Sequence, residues 1–259
     1  MPRRLSVLIP VHNEERTLER LLDTVEQRAE VYELVIVDDG STDATADILR
    51  SRRFAVPARL VRHETNRGKG SAIRTAITVA SGDVAVVQDA DLEYDPSEYP
   101  RLLAGLERPG IAAVYGTRTF AAHSAYSFWF VMGNKGVTLW NNLLFNSYLS
   151  DLETCYKLMP LQLWRDLDLR SAGFEIEPEI TAKLLKRGHR IFEVPISYAA
   201  RSREEGKKLT WRDGVRAVTT LTRIRVRPDR AAPAVGAKVI PLPYDAGRHA
   251  GDMRAGAES

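Results

Sequence analysis

Short apolar runs alternate with helical patterns along the first 117 residues of this 259-residue chain. The runs occupy residues 5–9, 34–37, 60–61, 84–87 and 112–115, and segments with helical spacing of apolar side chains separate them. Strands that are joined by helices and buried on both faces build a parallel sheet. The pattern therefore predicts an α/β fold with a mostly parallel central sheet and helices on both faces.

Composition fits a globular protein with one large domain. Hydrophobic residues make up 44% of the chain and charged residues 27%. No apolar stretch approaches the roughly 20 residues that a membrane-spanning helix needs. The single cysteine, Cys155, excludes an internal disulfide. From these features we expect the protein in the cytoplasm, or at the cytoplasmic face of a membrane.

Two carboxylates, Asp89 and Asp91, follow the apolar run at 84–87. Side chains two residues apart on an extended chain project to the same side, so the two anions lie close and repel each other. A divalent ion with oxygen ligands, Mg2+ or Mn2+, relieves this repulsion and carries substrate phosphates. For an isolated pair, an acidic turn is the simpler interpretation.

Other polar residues follow predicted strands in the same way. His12, Asp38, Asp39 and Arg118 each come after an apolar run, and NRGKG at 66–70 opens the third predicted helix. In open parallel sheets, ligands bind at the carboxyl ends of the strands. Acceptors for a base and ribose, cations and backbone N–H groups for phosphates, and metal ligands then meet on one rim. The sequence predicts a site for a nucleoside diphosphate.

The motifs, in order and spacing, resemble those of inverting family 2 glycosyltransferases of the GT-A fold, particularly the dolichol-phosphate (polyprenyl-phosphate) mannosyltransferase-like branch. They are IPVHNE (9–14), VDDGSTD (37–43), NRGKG (66–70), QDADLEYDP (88–96), GTR (116–118), DLETCYK (151–157), EVPI (193–196) and EGKK (205–208). The resemblance covers residues 5 to about 225. It implies transfer of a hexose from a nucleotide-diphospho-sugar of the GDP-mannose or UDP-glucose type, with polyprenyl or dolichyl phosphate as the acceptor.

The resemblance also implies roles for individual residues. Those expected to bind the nucleotide-sugar are Pro10, His12, Glu14, Asp38, Asp39, Gly68, Lys69, Arg74, Asp89 and Ala90. The expected metal ligands are Asp89, Asp91 and Glu93, for Mg2+ or Mn2+. The expected acceptor-phosphate ligands are Arg118, Lys135, Lys157, Arg201, Lys207 and Lys208. Asp91, Asp151, Arg118 and Arg201 form the expected catalytic set. His12 replaces a commoner tyrosine and Glu93 a commoner glutamine.

The acceptor decides whether a base is needed. A phosphate monoester is largely a dianion at neutral pH and attacks without losing a proton. Lys69 or Arg74 and the metal would then steady the leaving nucleoside diphosphate. A hydroxyl acceptor, in a polysaccharide or small molecule, needs a base, for which Asp151 is the first candidate and Glu153 the second.

We expect a catalytic domain at 1–227, with a donor-binding half at about 1–117 and an acceptor-side half at about 118–227. The Pro-, Gly- and Ala-rich residues 228–259 predict a disordered tail. Residues 201–230 hold ten Lys or Arg against four acids. With the aromatic-rich segment 120–149, this charge suggests peripheral membrane contact, and a separate membrane partner is the alternative.

Three other classes fit less well. An oxidoreductase of the dinucleotide-binding type would need a Gly-x-Gly-x-x-Gly turn after the first strand, and the chain has none there. No recognised nucleic-acid-binding motif accompanies the basic segment, so we expect no nucleic acid partner. A nucleotidyltransferase shares the metal-binding carboxylate pair and remains a remote alternative, distinguished by the pyrophosphate that it releases.

Overall fold

The computed structural model describes residues 3–119, 128–199, 211–227 and 240–241. Its strands are β1 (Leu5–Val11), β2 (Val31–Asp38), β3 (Ala58–Arg62), β4 (Val84–Val87), β5 (Ile111–Thr117), β6 (Lys157–Pro160), β7 (Arg190–Pro195) and β8 (Ile240–Pro241). Its helices are α1 (Leu18–Glu26), α2 (Thr45–Ser51), α3 (Lys69–Val79), α4 (Tyr99–Leu106), α5 (Phe128–Phe145), α6 (Leu161–Asp166), α7 (Ile176–Lys186) and α8 (Trp211–Val226). A 3-10 turn, Pro96–Glu98, precedes α4.

All eight strands form one sheet, in the order β7-β5-β6-β4-β1-β2-β3-β8. Six strands run parallel to one another, and β6 and β8 run antiparallel to their neighbours. The predicted α/β fold with a mostly parallel sheet and helices around it is confirmed. The interior of β1 is almost completely buried, as expected for a strand covered on both faces.

Local sequence signals place several helices. The apolar side chains of α1 at 18, 21, 22 and 25 are all buried, because this spacing puts them on one helix face. Asp95 caps the turn before α4: its carboxylate accepts a 2.8 Å hydrogen bond from the backbone N–H of Ser97. Gly68 opens α3 with a φ of 93°, a left-handed conformation that glycine adopts without steric cost.

Helices α5, α7 and α8 pack together beside the sheet. A separate apolar cluster joins them, built from Val137, Leu152, Ala182, Ala217 and Leu221. The Trp140 indole N–H also donates to the Thr222 hydroxyl across the α5–α8 contact, at 3.0 Å. None of the helices in the described ranges is long and apolar enough to cross a membrane.

One short strand lies within the segment 228–259, the predicted tail. Ile240 and Pro241 pair antiparallel with Leu60 and Arg59 of β3, and the disorder predicted for this segment stays a prediction. A two-residue strand leaves only a weak sequence signal, and the contact depends on an edge strand far away in the chain. The rest of the predicted tail, and the predicted basic residues 201–210, lie outside the described residues.

Candidate active site

A cavity of about 570 Å³ opens at the carboxyl ends of the parallel strands. It brings together most of the residues expected from the sequence: Pro10, His12, Glu14, Asp39, Gly68, Lys69, Asp89, Ala90, Asp91, Glu93 and Arg118. The segment 151–156 reaches the same rim because it leads into β6, which runs antiparallel to β4 and β5. The directions of the strands therefore explain why motifs from distant parts of the chain meet at this edge of the sheet.

The two aspartates at the end of β2 occupy different environments. Asp38 is buried away from the cavity, where its carboxylate accepts from the backbone N–H of Ser41 and lies 3.2 Å from Arg62 Nε. Asp39 lines the cavity and holds the loop that leads into α3. Its carboxylate accepts from the backbone N–H groups of Arg67 and Gly68, at 2.9 and 2.7 Å. Of this predicted pair, only Asp39 reaches the cavity.

The carboxylates of Asp89 and Asp91 both line the cavity, as their spacing predicts. Within the described ranges, no group of three His, Cys, Asp or Glu residues is placed to hold a metal by itself. The donor set nevertheless fits Mg2+ or Mn2+, because such ions are commonly held by one or two carboxylates plus substrate phosphates. Glu93 lies beside them, and its Oε2 accepts a 2.6 Å hydrogen bond from the Tyr198 hydroxyl.

A row of alternating charges runs from the cavity wall into the core. Lys69 Nζ lies 2.8 Å from Asp89 Oδ2 and 3.3 Å from Glu177 Oε1, and Glu177 Oε2 is 2.6 Å from Lys157 Nζ. Burial alone would lower the pKa of Lys69, but the carboxylates of Asp89 and Glu177 raise it well above its usual value. The ammonium group of Lys69 is therefore a fixed positive charge at the cavity wall.

Arg118 and Asp151 form a two-pronged ion pair at the edge of the cavity. Arg118 Nε and Nη2 donate to the two oxygens of Asp151 at 2.6 and 2.7 Å, and Asn134 adds a hydrogen bond at 3.1 Å. Burial would raise the pKa of Asp151, but the charge and hydrogen bonds of Arg118 outweigh it and lower this pKa. A carboxylate held in this way is a weak base.

Glu153, unlike Asp151, has a raised pKa. It lines the cavity, is half-buried, and makes no hydrogen bond or ion pair with any other residue in the described part of the chain. Burial raises the pKa of Glu153 to about 7, although Arg118 and Lys157 act to lower it. The geometry thus favours Glu153 over Asp151 as a base, which reverses the order expected from the sequence.

Several expected ligands are not brought to the cavity. Arg74 donates instead to the backbone carbonyl of Arg170, and Lys135 is exposed on α5. Lys157 was expected to face an acceptor phosphate, but its side chain is completely buried. Its ammonium donates to the carbonyls of Leu152 and Thr154 and to Glu177, so its role here is structural. Arg201, Lys207 and Lys208 lie outside the described residues.

Other cavity residues were missed by sequence reasoning. Glu177 and Tyr198 lie in segments with no recognised motif, and each reaches the cavity from an element far along the chain. Arg212 and Arg216 were noted only as part of the basic segment, and both line the cavity from α8. Their spacing of four residues, one helical turn, was the only signal that they share a face.

Comparison with solved structures identifies the fold. Glucosyl-3-phosphoglycerate synthase from Mycobacterium tuberculosis, solved with Mn2+, uridine diphosphate and glucosyl-3-phosphoglycerate, superposes with a TM-score of 0.67. The match is 21% identical and covers 94% of this chain and 88% of that chain. The same synthase with Mg2+ and uridine diphosphate gives a TM-score of 0.64. At this identity the likeness establishes the fold alone, the GT-A fold.

The family follows from the sequence comparison. The model for "Glycosyl transferase family 2" matches residues 6–157, more than half of the chain. The chain belongs to this family.

Two curated relatives are similar to parts of this chain. A dolichol-phosphate mannosyltransferase from Pyrococcus furiosus is 28% identical over 79% of this chain and 59% of its own length. An undecaprenyl-phosphate 4-deoxy-4-formamido-L-arabinose transferase from Pseudomonas fluorescens is 38% identical over 47% of this chain and 38% of its own length. The chain thus spans less than two thirds of the length of each of these relatives.

Proposed function

We propose that this protein transfers a hexose from a nucleotide-diphospho-sugar to a polyprenyl phosphate, with inversion at the anomeric carbon. The observation that carries the proposal is the single cavity that joins Asp89, Asp91 and Lys69 to Arg118. The first three residues suit a diphosphate with its cation, and Arg118 suits a second phosphate. The relatives named above act on dolichol phosphate and undecaprenyl phosphate, which supports a lipid phosphate as acceptor.

The charges in the cavity suit an acceptor that needs no base. A phosphate oxygen is already ionised at neutral pH, so the protein has to orient it against the anomeric carbon. Arg118 is held rigidly by Asp151, and Arg212 and Arg216 line the same cavity. These guanidinium groups would bind the acceptor phosphate, because their planar forks match phosphate oxygens.

On the donor side, Lys69 and the N–H groups of the 66–68 loop would hold the diphosphate. We infer that Asp89 and Asp91 would hold Mg2+ or Mn2+ there; when bound, this cation supplies positive charge to the leaving nucleoside diphosphate. Both ions occur in structures of the glucosyl-3-phosphoglycerate synthase. Asp39, His12 and Glu14 would contact the nucleoside.

A hydroxyl acceptor is the second candidate, favoured by one observation. Glu153 lines the cavity without a partner among the described residues, and its pKa of about 7 suits a general base. A sugar or alcohol hydroxyl would lose its proton to this carboxylate as it attacks. The glucosyl-3-phosphoglycerate synthase, by its name, glucosylates a small phosphorylated molecule.

We further propose peripheral contact with a membrane. Helix α5 exposes Phe128, Met132, Leu139 and Leu143, whose spacing puts them on one side of the helix. The neighbouring α8 supplies basic residues. An apolar face beside cationic groups suits an anionic membrane surface, where a polyprenyl phosphate acceptor would lie.

The test is turnover with a panel of GDP- and UDP-sugars, with Mg2+, Mn2+ or EDTA, and with or without a polyprenyl phosphate. We expect release of nucleoside diphosphate and a glycosylated lipid only with one donor, a metal and the lipid phosphate together. Product mass identifies the transferred sugar. Turnover in EDTA would contradict the metal role of the aspartates, and transfer to alcohols alone would favour the second candidate.

Two variants from one loop give the matched comparison. Asp91→Asn removes a carboxylate from the cavity wall and should lower turnover at least about a hundredfold. Asp95→Asn makes the same change four residues on, outside the cavity, where asparagine still caps the following turn. Asp95→Asn should keep nearly full activity.

A further inference from the structure

A second cavity lies between α7 and α8, next to the candidate active site. Its volume is about 900 Å³, and its walls come from α7, α8 and the segment 170–172. Arg216 lines both cavities, so the two share one wall. The proposed glycosyl transfer assigns no role to this second cavity, which we call the α7–α8 groove.

The wall of the groove is strongly basic. Five cationic side chains line it: Arg170, Lys183, Arg216, Arg223 and Arg227. The opposing carboxylates are Glu175 and Glu179. Glu179 is already engaged, because it accepts from the backbone N–H groups of Arg170 and Ser171 and lies 2.8 Å from Lys183 Nζ. Arg170 is paired as well, at 2.9 Å from Asp168 Oδ2. The excess positive charge of the groove therefore lies on its remaining three arginines.

Three arginines account for this excess: two in α8 and Arg227, directly after its last residue. Arg216, Arg223 and Arg227 are seven and four residues apart, which places them on one side of the helix, and all three are exposed. Arg216 has a long 3.6 Å contact with Asp213. The guanidinium groups of Arg223 and Arg227 make no ion pair or hydrogen bond with any residue in the described ranges. Like charges one turn apart on a helix repel each other.

Arg223 and Arg227 are not needed to cap the C-terminal end of α8. Basic side chains near a helix end can bind its last carbonyl groups. Here Lys186 of α7 does so, since its ammonium donates to the carbonyls of Ile224, at 2.6 Å, and of Arg227. Arg223 and Arg227 are left with their donors directed to solvent or to a ligand in the groove.

We propose that the α7–α8 groove binds a phosphate-bearing anion of at least two negative charges, held by Arg223 and Arg227. Such an anion neutralises the repelling guanidinium groups, and each group can donate two parallel hydrogen bonds to phosphate oxygens. A soluble phosphate ester and the headgroup of an anionic lipid share this chemistry. The ligand binds outside the active-site cavity and is distinct from the donor and the acceptor.

The experiment measures pyrophosphate binding to the full chain by calorimetry at low salt, without metal, donor or acceptor. The variant Arg223→Gln/Arg227→Gln removes the two arginines. The control, Arg20→Gln/Arg53→Gln, makes the same change of net charge at exposed positions outside the groove and outside α8. We expect the wild type and the control to bind pyrophosphate in the groove. The groove variant should lose this binding, with affinity there falling at least about tenfold.

Sedimentation with phosphatidylcholine vesicles, with or without phosphatidylglycerol, identifies the source of the anion. A lipid headgroup predicts that the groove variant sediments several-fold less than the control with anionic vesicles only. A soluble ligand predicts equal sedimentation and a difference in the pyrophosphate titration alone. If the folded groove variant matches the control in both measurements, the proposal is wrong. Because no glycosyl transfer is measured, this result is independent of the proposed function.

Discussion

Asp151 and Glu153 lie two residues apart on one segment, yet their pKa values are shifted in opposite directions. Arg118 and Asn134 bond to Asp151, and the pKa of Asp151 is lowered despite its burial. Glu153 has no such partner in the described structure, and burial raises its pKa to about 7. One residue is thus a fixed anion that positions an arginine, whereas the other exchanges a proton near neutral pH.

The raised pKa of Glu153 predicts a pH-dependent stability. Between pH 4.5 and 7 the folded protein keeps a proton that the unfolded chain releases, so this stabilisation is full below pH 4.5 and is lost as pH rises through 7. Glu153→Gln cannot ionise. Its free energy of unfolding should exceed that of the wild type at pH 8 by about 1–3 kcal/mol, and the difference should shrink towards pH 4.5.

Urea unfolding at several pH values measures this difference. Glu107→Gln is the control, because Glu107 is exposed on the surface and should show no such trend. A pH-independent difference for Glu153→Gln would contradict the raised pKa.

The same variant separates the two acceptors: it should abolish transfer to a hydroxyl but leave transfer to a phosphate largely intact, since only the hydroxyl needs a base.

Motif residues were predictable where the strand pattern alone fixed their position. Asp89, Asp91 and Arg118 follow apolar runs, and all three reach the cavity. The choice between Asp38 and Asp39 was not predictable, because alternation puts them on opposite sides without saying which side holds the cavity. The burial of Lys157 depends on Glu177, which a sequence motif does not connect to it.

At the scale of elements, the start of α3 depends on close backbone packing. A Cβ on Gly68 would lie 2.4 Å from the carbonyl oxygen of Ala172, and φ at Gly68 is +93°. The N–H of Gly68 also binds Asp39, and the next residue, Lys69, supplies the ammonium group at the cavity wall. Replacement of this glycine therefore has to move the start of α3.

Gly68→Ala should lower the free energy of unfolding by about 2 kcal/mol or more and should weaken donor binding as well. Gly188→Ala is a matched control, because Gly188 also has positive φ, +76°, but a Cβ there meets nothing within 4 Å. In the control, only the strain of a left-handed alanine lowers the free energy of unfolding, by about 1–2 kcal/mol, and donor binding should be unchanged. Thermal unfolding and nucleotide-sugar titration test both variants. Equal effects of the two would contradict the packing argument.

The apolar runs of the first 117 residues correctly predicted the strands of that part of the chain. Five apolar runs became β1 to β5, because strands buried on both faces are almost continuously apolar. The position of β6 between β4 and β5 was not predicted. Four residues carry no sign of strand direction, and only pairing across the sheet makes β6 antiparallel.

At the scale of the whole molecule, apolar and basic surfaces lie on two helices that pack against each other. Leu139 and Leu143 of α5 are 59% and 68% exposed. They are one turn apart and lie on the same side of the helix as Phe128 and Met132. Helix α8, which packs on α5 through Ala217 and Leu221, carries the basic residues. This arrangement leaves apolar side chains in water unless a membrane or another partner covers them.

Leu139→Gln/Leu143→Gln should reduce binding to anionic vesicles at least about tenfold, since transfer of each leucine into the interface contributes on the order of 1 kcal/mol or more. The loss should persist at high salt, where charge interactions are screened and apolar transfer is not. Tyr32→Gln removes an exposed aromatic ring from the start of β2, at the opposite end of the sheet from the cavity, and should bind as the wild type does. Co-sedimentation measures all three proteins. If the leucine variant sediments like the wild type, α5 does not contact the membrane.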